Sequence, residues 1–177
     1  MPDNNFPHLL LRTAFSFMTC DGHIDKKEIV SIMKMAQEKY LFGQVEVDKE
    51  LEEMLGKINR IGTEYLKDFF RKVHRAHLSD EEQLQMIQVA VDIIYADLEV
   101  KEDEVKFLRV LRTMLDVSDS AILNNFPQLA KDFMWEDDFT DAYVKQLYAN
   151  YFKDKKMPVF DVSDVMDITQ EVLEELK

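Results

Sequence analysis

The sequence predicts an all-α protein, and three observations support this fold class. Only four Pro and four Gly occur in 177 residues, and no Pro lies between residues 8 and 126. Residues that favour helices, chiefly Leu, Met, Glu, Lys and Gln, are frequent, and apolar residues recur at helical spacing. Alternating apolar and polar residues bounded by hairpin turns are absent, so we assign no β-sheet.

Apolar stripes place the helices of residues 8–125. We expect the second helix to end near Gly43 and the fourth to start at Gly62 or Thr63. Ser79 and Glu82 have the spacing of a capping box and open the fifth helix. The stripes are Leu10, Ala14, Phe17 and Met18; Ile29, Ile32, Met33 and Ala36; Val47, Leu51, Met54, Leu55 and Ile58; Leu66, Phe69, Phe70 and Val73; Met86, Ile87, Ala90, Ile93 and Ile94; and Val105, Leu108, Leu111 and Leu115.

The chain changes character at Phe126, after which it is rich in aromatic and acidic residues. We predict helices over residues 138–153 and 163–177. Residues 8–125 are interpreted as a core of two related halves, and residues 126–177 as a C-terminal helical extension. The extension either packs back onto the core or binds a partner, and Phe133, Met134 and Trp135 are its candidate anchor or exposed patch.

Two short acidic segments repeat each other across the core. The first runs from Asp21 to Glu28 and the second from Asp97 to Glu104. Each reads Asp, two residues, a β-branched apolar residue, three residues, Glu, and the offset between the copies is the same at both ends. Each segment stands between two apolar helical stripes, so the repeated unit is a helix, an acidic turn and a helix. If the two turns face each other, their carboxylates form a cation site.

The turns match only the second half of a calcium-binding EF-hand loop. Positions 1 and 3 of such a loop, which supply carboxylates, would be Phe17 and Thr19 in the first turn. In the second turn they would be Ile93 and Tyr95. We therefore reject a standard EF-hand.

Helix capping is the alternative explanation for these acids. Asp25 and Glu28 fit a capping box, which accounts for the first turn. Lys101 takes the N-cap position of the second turn and is a weak cap. Asp21 and Asp97 lie at helix C-terminal ends, where the helix dipole disfavours a carboxylate by roughly 0.3–1 kcal/mol. A bound cation, or a Lys or Arg from elsewhere in the chain, would offset that cost.

The paired turns, their spacing and the helical context resemble the TerB-like family of bacterial tellurite-resistance proteins. The resemblance covers roughly residues 8–125 and implies an all-α fold with an internal repeat. It also implies a stress-response protein that binds metal cations without being an enzyme, with Asp21, Glu28, Asp97 and Glu104 as ligands. Leu98 departs from the family pattern, which has Gly at this position.

Composition narrows the classes of partner. Asp and Glu number 35 against 22 Lys and Arg, a formal net charge of -13. This charge disfavours nucleic acids and anionic membrane surfaces and favours cations or basic partners. One Cys excludes a disulfide framework and a multi-thiolate zinc site. No signal-peptide pattern or membrane-spanning apolar run is visible, so we expect a cytoplasmic protein.

Three functions remain open at this stage. The first is a non-enzymatic stress or tellurite-resistance protein with a divalent-cation site, for which all-oxygen ligands suit Ca²⁺, Mg²⁺ or Mn²⁺. The second is a metal-free module that binds a protein partner through its acidic face or its C-terminal aromatic segment. The third is an enzyme with paired carboxylates, which we disfavour because the turns are expected to face solvent. The sequence leaves the oligomeric state open.

Overall fold

The structure is a computed structural model that describes residues 5–132 and 140–177, without the side chains of residues 131 and 132. Every regular element in these ranges is helical, which confirms the all-α fold class. The helices are α1 (Phe6–Thr19), α2 (Lys26–Gln37), α3 (Val47–Ile61), α4 (Glu64–Arg75), α5 (Asp80–Ile94), α6 (Glu102–Arg112), α7 (Asp119–Asn125), α8 (Leu129–Asp132), α9 (Asp141–Phe152) and α10 (Val162–Glu175).

The predicted helix starts agree with the local chemistry. Asp25 caps α2 and Ser79 caps α5, and each makes a capping box with the glutamate three residues later. The short helices α7 and α8 are not among the predicted elements. Helix α7 begins where the Ser118 side chain accepts the amide N–H of Ala121, a local cap that no long apolar stripe accompanies.

Helices α1 and α5 form the centre of the bundle. From Leu10 to Thr19 nearly every residue of α1 is buried, as expected of a helix surrounded by others. Helix α1 packs most extensively against α5 and also contacts α2, α3 and α4. The two acidic turns follow α1 and α5 directly, so this central pair brings the turns to the same end of the bundle.

The described part of the extension lies on the core. Helix α9 packs on α6, and α10 packs on α2 and α3. Asn59 of α3 makes two hydrogen bonds with the backbone of Phe160, one as donor at 2.9 Å and one as acceptor at 2.8 Å.

Residues Phe133, Met134 and Trp135 lie outside the described residues. Among the helices of the described residues, none has the length and apolar character needed to span a bilayer.

An aromatic cluster around Phe107 joins the core to the extension. The Phe107 side chain is fully buried. Its ring centroid lies 4.6 Å from that of Phe70, 4.9 Å from that of Phe17 and 5.1 Å from that of Tyr151 in α9. Such contacts add to the apolar area that each ring removes from water.

Phe107→Ala should lower the free energy of unfolding by about 3–5 kcal/mol, because it leaves a cavity at the centre of this cluster. Urea denaturation followed by circular dichroism measures the change. Val159→Ala is the control, since its side chain is 79% exposed, and its effect should stay within about 0.5 kcal/mol. Equal effects of the two substitutions would contradict the central role of Phe107.

Candidate functional site

The first acidic turn reverses the chain between α1 and α2. The amide of Gly22 donates to the carbonyl of Thr19 at 2.9 Å, and Gly22 has a φ of 81°. The Asp21 carboxylate then accepts the amide N–H of His23 at 3.0 Å through Oδ1. This bond fixes one oxygen of Asp21 within the turn and leaves Oδ2 for other partners.

The second turn has the same geometry despite Leu98. The amide of Leu98 donates to the carbonyl of Tyr95 at 3.3 Å, and Asp97 Oδ1 accepts the amide of Glu99 at 3.1 Å. Leu98 has a φ of 65°, the left-handed conformation that Gly22 adopts in the first turn. Its side chain is 89% exposed, so the unusual backbone brings no packing conflict. The departure from glycine therefore leaves the turn intact.

The two glutamates lie at equivalent positions in the first turns of α2 and α6. Glu28 Oε1 accepts the backbone N–H of Asp25 at 2.9 Å, and Glu104 Oε1 accepts that of Lys101 at 3.1 Å. Each glutamate is only 2% exposed. Capping therefore explains one oxygen of each glutamate, but it does not require such deep burial.

Lys101 connects the two turns. Its ammonium lies 3.2 Å from Asp21 Oδ2 of the first turn and 3.5 Å from Asp97 Oδ2 of the second. The side chains of Asp21 and Asp97 are only 9% and 14% exposed, so this pairing is well shielded from water. A lysine supplied by the chain itself thus offsets the cost of placing carboxylates at the ends of α1 and α5.

Burial dominates the electrostatics of the two glutamates. It raises the pKa of Glu28 to about 9 and that of Glu104 to about 8. The backbone N–H groups that the glutamates accept lower these pKa values, though by less than burial raises them. The negative charge of Asp21 raises both pKa values further. Both glutamates therefore hold their protons at neutral pH.

The two aspartates have the opposite effect on Lys101. Burial lowers the pKa of its ammonium, but the carboxylates of Asp21 and Asp97 outweigh burial, and the pKa lies above its ordinary value. Lys101 is therefore charged at neutral pH. One ammonium against two carboxylates leaves one negative charge without a partner at this centre.

The structure thus brings Asp21, Glu28, Asp97 and Glu104 together, and Lys101 completes this group, which we name the acidic centre. The four carboxylates are shielded, since Asp21 and Asp97 are 9% and 14% exposed and both glutamates are 2% exposed, whereas Leu98 at the tip of the second turn faces solvent as expected. In residues 5–132 and 140–177 no group of three or more His, Cys, Asp or Glu residues is arranged to hold a metal ion. The ligand role of the four acids stays a prediction.

Sequence reasoning treated Lys101 only as a weak helix cap and missed its part in the acidic centre. The signal was available, because Lys101 occupies the position in the second turn that Asp25 occupies in the first. A charge reversal between two otherwise similar turns is typical of a residue that pairs with the acids around it.

The fold and the paired acidic turns define a class of all-helical proteins with a carboxylate-rich centre. The family model for tellurite resistance protein TerB matches residues 10–124. The chain therefore belongs to the TerB family. The match ends before the extension, so α9 and α10 lie outside it. Searches of curated proteins and of solved structures found no significant match.

The stability of the protein should fall as the pH rises from about 5 to 8. The pKa values of Glu28 and Glu104 in the folded protein, about 9 and about 8, lie above the ordinary 4.5. In this range the unfolded chain loses protons that the folded chain keeps, so ionisation favours unfolding. The limiting slope is about 1.4 kcal/mol per pH unit for each glutamate.

Glu28→Gln/Glu104→Gln should flatten this dependence, because glutamine keeps the acceptor for the backbone N–H and does not ionise. Urea unfolding at a series of pH values from about 5.5 to 8.5, which lie above the ordinary pKa of a glutamate and reach towards the raised values, measures the slope. Glu52→Gln/Glu53→Gln, which removes two exposed carboxylates of α3, is the matched control. An unchanged slope in the Glu28/Glu104 variant would refute the assignment.

Leu98→Gly should stabilise the protein by about 0.5–1 kcal/mol. A left-handed backbone costs a leucine about 1–2 kcal/mol, and glycine avoids this cost. The greater freedom of glycine in the unfolded chain cancels part of the gain. Gly22→Leu in the first turn should destabilise, because at a φ of 81° a leucine would be held in a left-handed backbone that glycine adopts without strain. Thermal and urea unfolding test both, and a destabilised Leu98→Gly variant would disprove the strain at Leu98.

Proposed function

We propose that this TerB-family protein is a non-enzymatic, cytoplasmic protein of the tellurite-resistance and stress-response type whose acidic centre binds a divalent cation in competition with Lys101. The ligands would be Asp21, Asp97, Glu28 and Glu104, and all of them offer oxygen. Such a donor set suits Ca²⁺, Mg²⁺ or Mn²⁺ better than a soft metal.

The observation that carries the proposal is the position of the Lys101 ammonium. Carboxylates from two turns far apart in sequence already approach one positive charge, at 3.2 Å and 3.5 Å. The ammonium occupies the place between the two aspartates that we propose for the ion, and its position supports the proposal. A lysine neutralises only one of the two aspartates, whereas a divalent ion would neutralise both.

The glutamates would join the ligand set only in their ionised form. In the absence of an ion they hold protons at neutral pH, because burial raises their pKa values. A nearby divalent charge favours the ionised form, so binding of the ion and loss of the protons are linked. The affinity should therefore be greater at higher pH.

A metal-free interaction module is the second candidate function, and the same lysine favours it. Lys101 already stabilises the two turns without any ion. In addition, two strongly exposed apolar side chains lie at or near the turns. Leu98 belongs to the second turn, and Val159 follows Pro158, which lies beside Gly22 of the first turn. A basic or helical protein partner would meet both apolar groups and acidic charge there.

Lys101→Met should raise the affinity for Ca²⁺, Mg²⁺ or Mn²⁺ by about tenfold or more, because it removes the internal competitor and keeps the aliphatic stem. Isothermal titration calorimetry of the wild type and the variant measures the effect for each ion. Asp21→Asn/Asp97→Asn in the Lys101→Met background should abolish binding. Asparagine retains the oxygen that accepts the turn amide, so the turns are expected to persist.

The control for the loss of a lysine is Lys156→Met, an exposed side chain of the same charge. Its titrations should match those of the wild type. If Lys101→Met binds none of the three ions, the cation site is excluded and the metal-free module is favoured. Equal binding before and after the two Asp→Asn substitutions would place any bound ion elsewhere.

A further inference from the structure

Residues 151–160, which run from the end of α9 towards α10, contact the elements on both sides of the acidic centre. On the first turn, the Tyr151 hydroxyl donates to the carbonyl of Cys20, the residue before Asp21, at 2.5 Å. Pro158 packs against Gly22 in the same turn, since a Cβ at Gly22 would lie 3.4 Å from Pro158 Cδ. On the second side, the Lys155 ammonium lies 2.8 Å from Asp103 Oδ2, beside Glu104.

The contact of Tyr151 is one that a buried tyrosine requires. Cys20 ends α1, and carbonyls at the end of a helix have no partner within the helix. The Tyr151 side chain is 2% exposed, and a buried hydroxyl without an acceptor is costly. The tyrosine and the helix end therefore satisfy each other, which fixes the position of the residue that leads into Asp21.

Lys155 connects α6, which follows the second turn, with Tyr151, which contacts the first turn. Its ammonium also lies 4.5 Å above the ring centroid of Tyr151, and its side chain is only 13% exposed. The cation–π contact and the ion pair with Asp103 act together in this shielded place. Tyr151, which contacts the first acidic turn, and Lys155, which pairs with Asp103 at the start of α6, are thus in direct contact.

The segment is anchored at both ends by contacts away from the turns. At its start, the Tyr151 ring packs against Phe107 of α6. At its end, the backbone of Phe160 makes hydrogen bonds with the amide nitrogen and the amide oxygen of the Asn59 side chain in α3. A segment that is fixed at both ends and contacts the first turn and the start of α6 can hold the two turns at one separation, because the second turn leads directly into α6.

We propose that residues 151–160 form a strap across the acidic centre, in which Tyr151 and Lys155 are positioning residues that fix the two turns relative to each other. The strap lies outside the matched TerB segment and acts whether the shared cation is the Lys101 ammonium or a metal ion. Its function is to set how far Asp21 and Asp97 can separate.

Hydrogen–deuterium exchange of the full chain, without added metal, tests the strap. Tyr151→Phe removes only the hydroxyl that reaches the first turn, and Lys155→Met removes only the ammonium that reaches the second side. Each variant should raise exchange in both residues 19–25 and residues 95–101 by about fivefold, the effect of losing one hydrogen bond. The effect on the turn that the substituted residue does not touch is the diagnostic result.

Matched controls come from the same segment. Tyr148→Phe removes a hydroxyl of α9 that has no hydrogen bond in the described residues, and Lys156→Met removes an exposed ammonium. Both control variants should change the exchange rate in either turn by less than about twofold, well below the effect expected of the test variants. If each variant loosens only the turn that it touches, or neither turn, the strap is refuted. An equal rise in α5 would indicate general destabilisation and would also count against it.

Discussion

The protein depends on one shared positive charge. Two helices at the centre of the bundle end in aspartates that meet at one end of the molecule, and two buried glutamates lie beside them. Without a cation this arrangement would place carboxylates near helix ends of the same sign, in partial isolation from water. The ammonium of Lys101 resolves that conflict by reaching both aspartates. Lys101 balances part of the charge that the pairing of α1 with α5 brings together, whereas protonation keeps the buried glutamates neutral.

The burial of Glu28 and Glu104 has a different physical basis from that of the aspartates. Each glutamate accepts an amide at the start of a helix, where the helix dipole favours negative charge. Desolvation is nevertheless stronger, so protonation keeps both groups neutral. The acidic centre therefore contains two aspartates paired with a lysine and two glutamates that are neutral. The neutral pair ionises only when the pH rises towards its raised pKa values or when a further positive charge lies nearby.

Much of the fold could be predicted from the sequence, because it depends on local patterns. Apolar stripes placed the core helices, and Asp25 and Ser79 marked helix starts by their capping chemistry. The reach of Lys101 to Asp21 depends on a contact between distant segments, which periodicity does not record. The contacts of Tyr151 with Cys20 and of Lys155 with Asp103 could not be predicted either. No pattern in residues 126–177 indicates which face of the core the extension packs against.

The charge reversal between Asp25 and Lys101 has an evolutionary consequence. Lysine and glutamate codons differ by one nucleotide, so a single mutation at position 101 would exchange an internal counterion for a further carboxylate. A protein that stabilises its own acids and one that needs a dissolved ion to do so are therefore neighbours in sequence space. If the acidic centre binds an ion as proposed, dependence on that ion can be gained or lost at position 101 without rebuilding the helical scaffold.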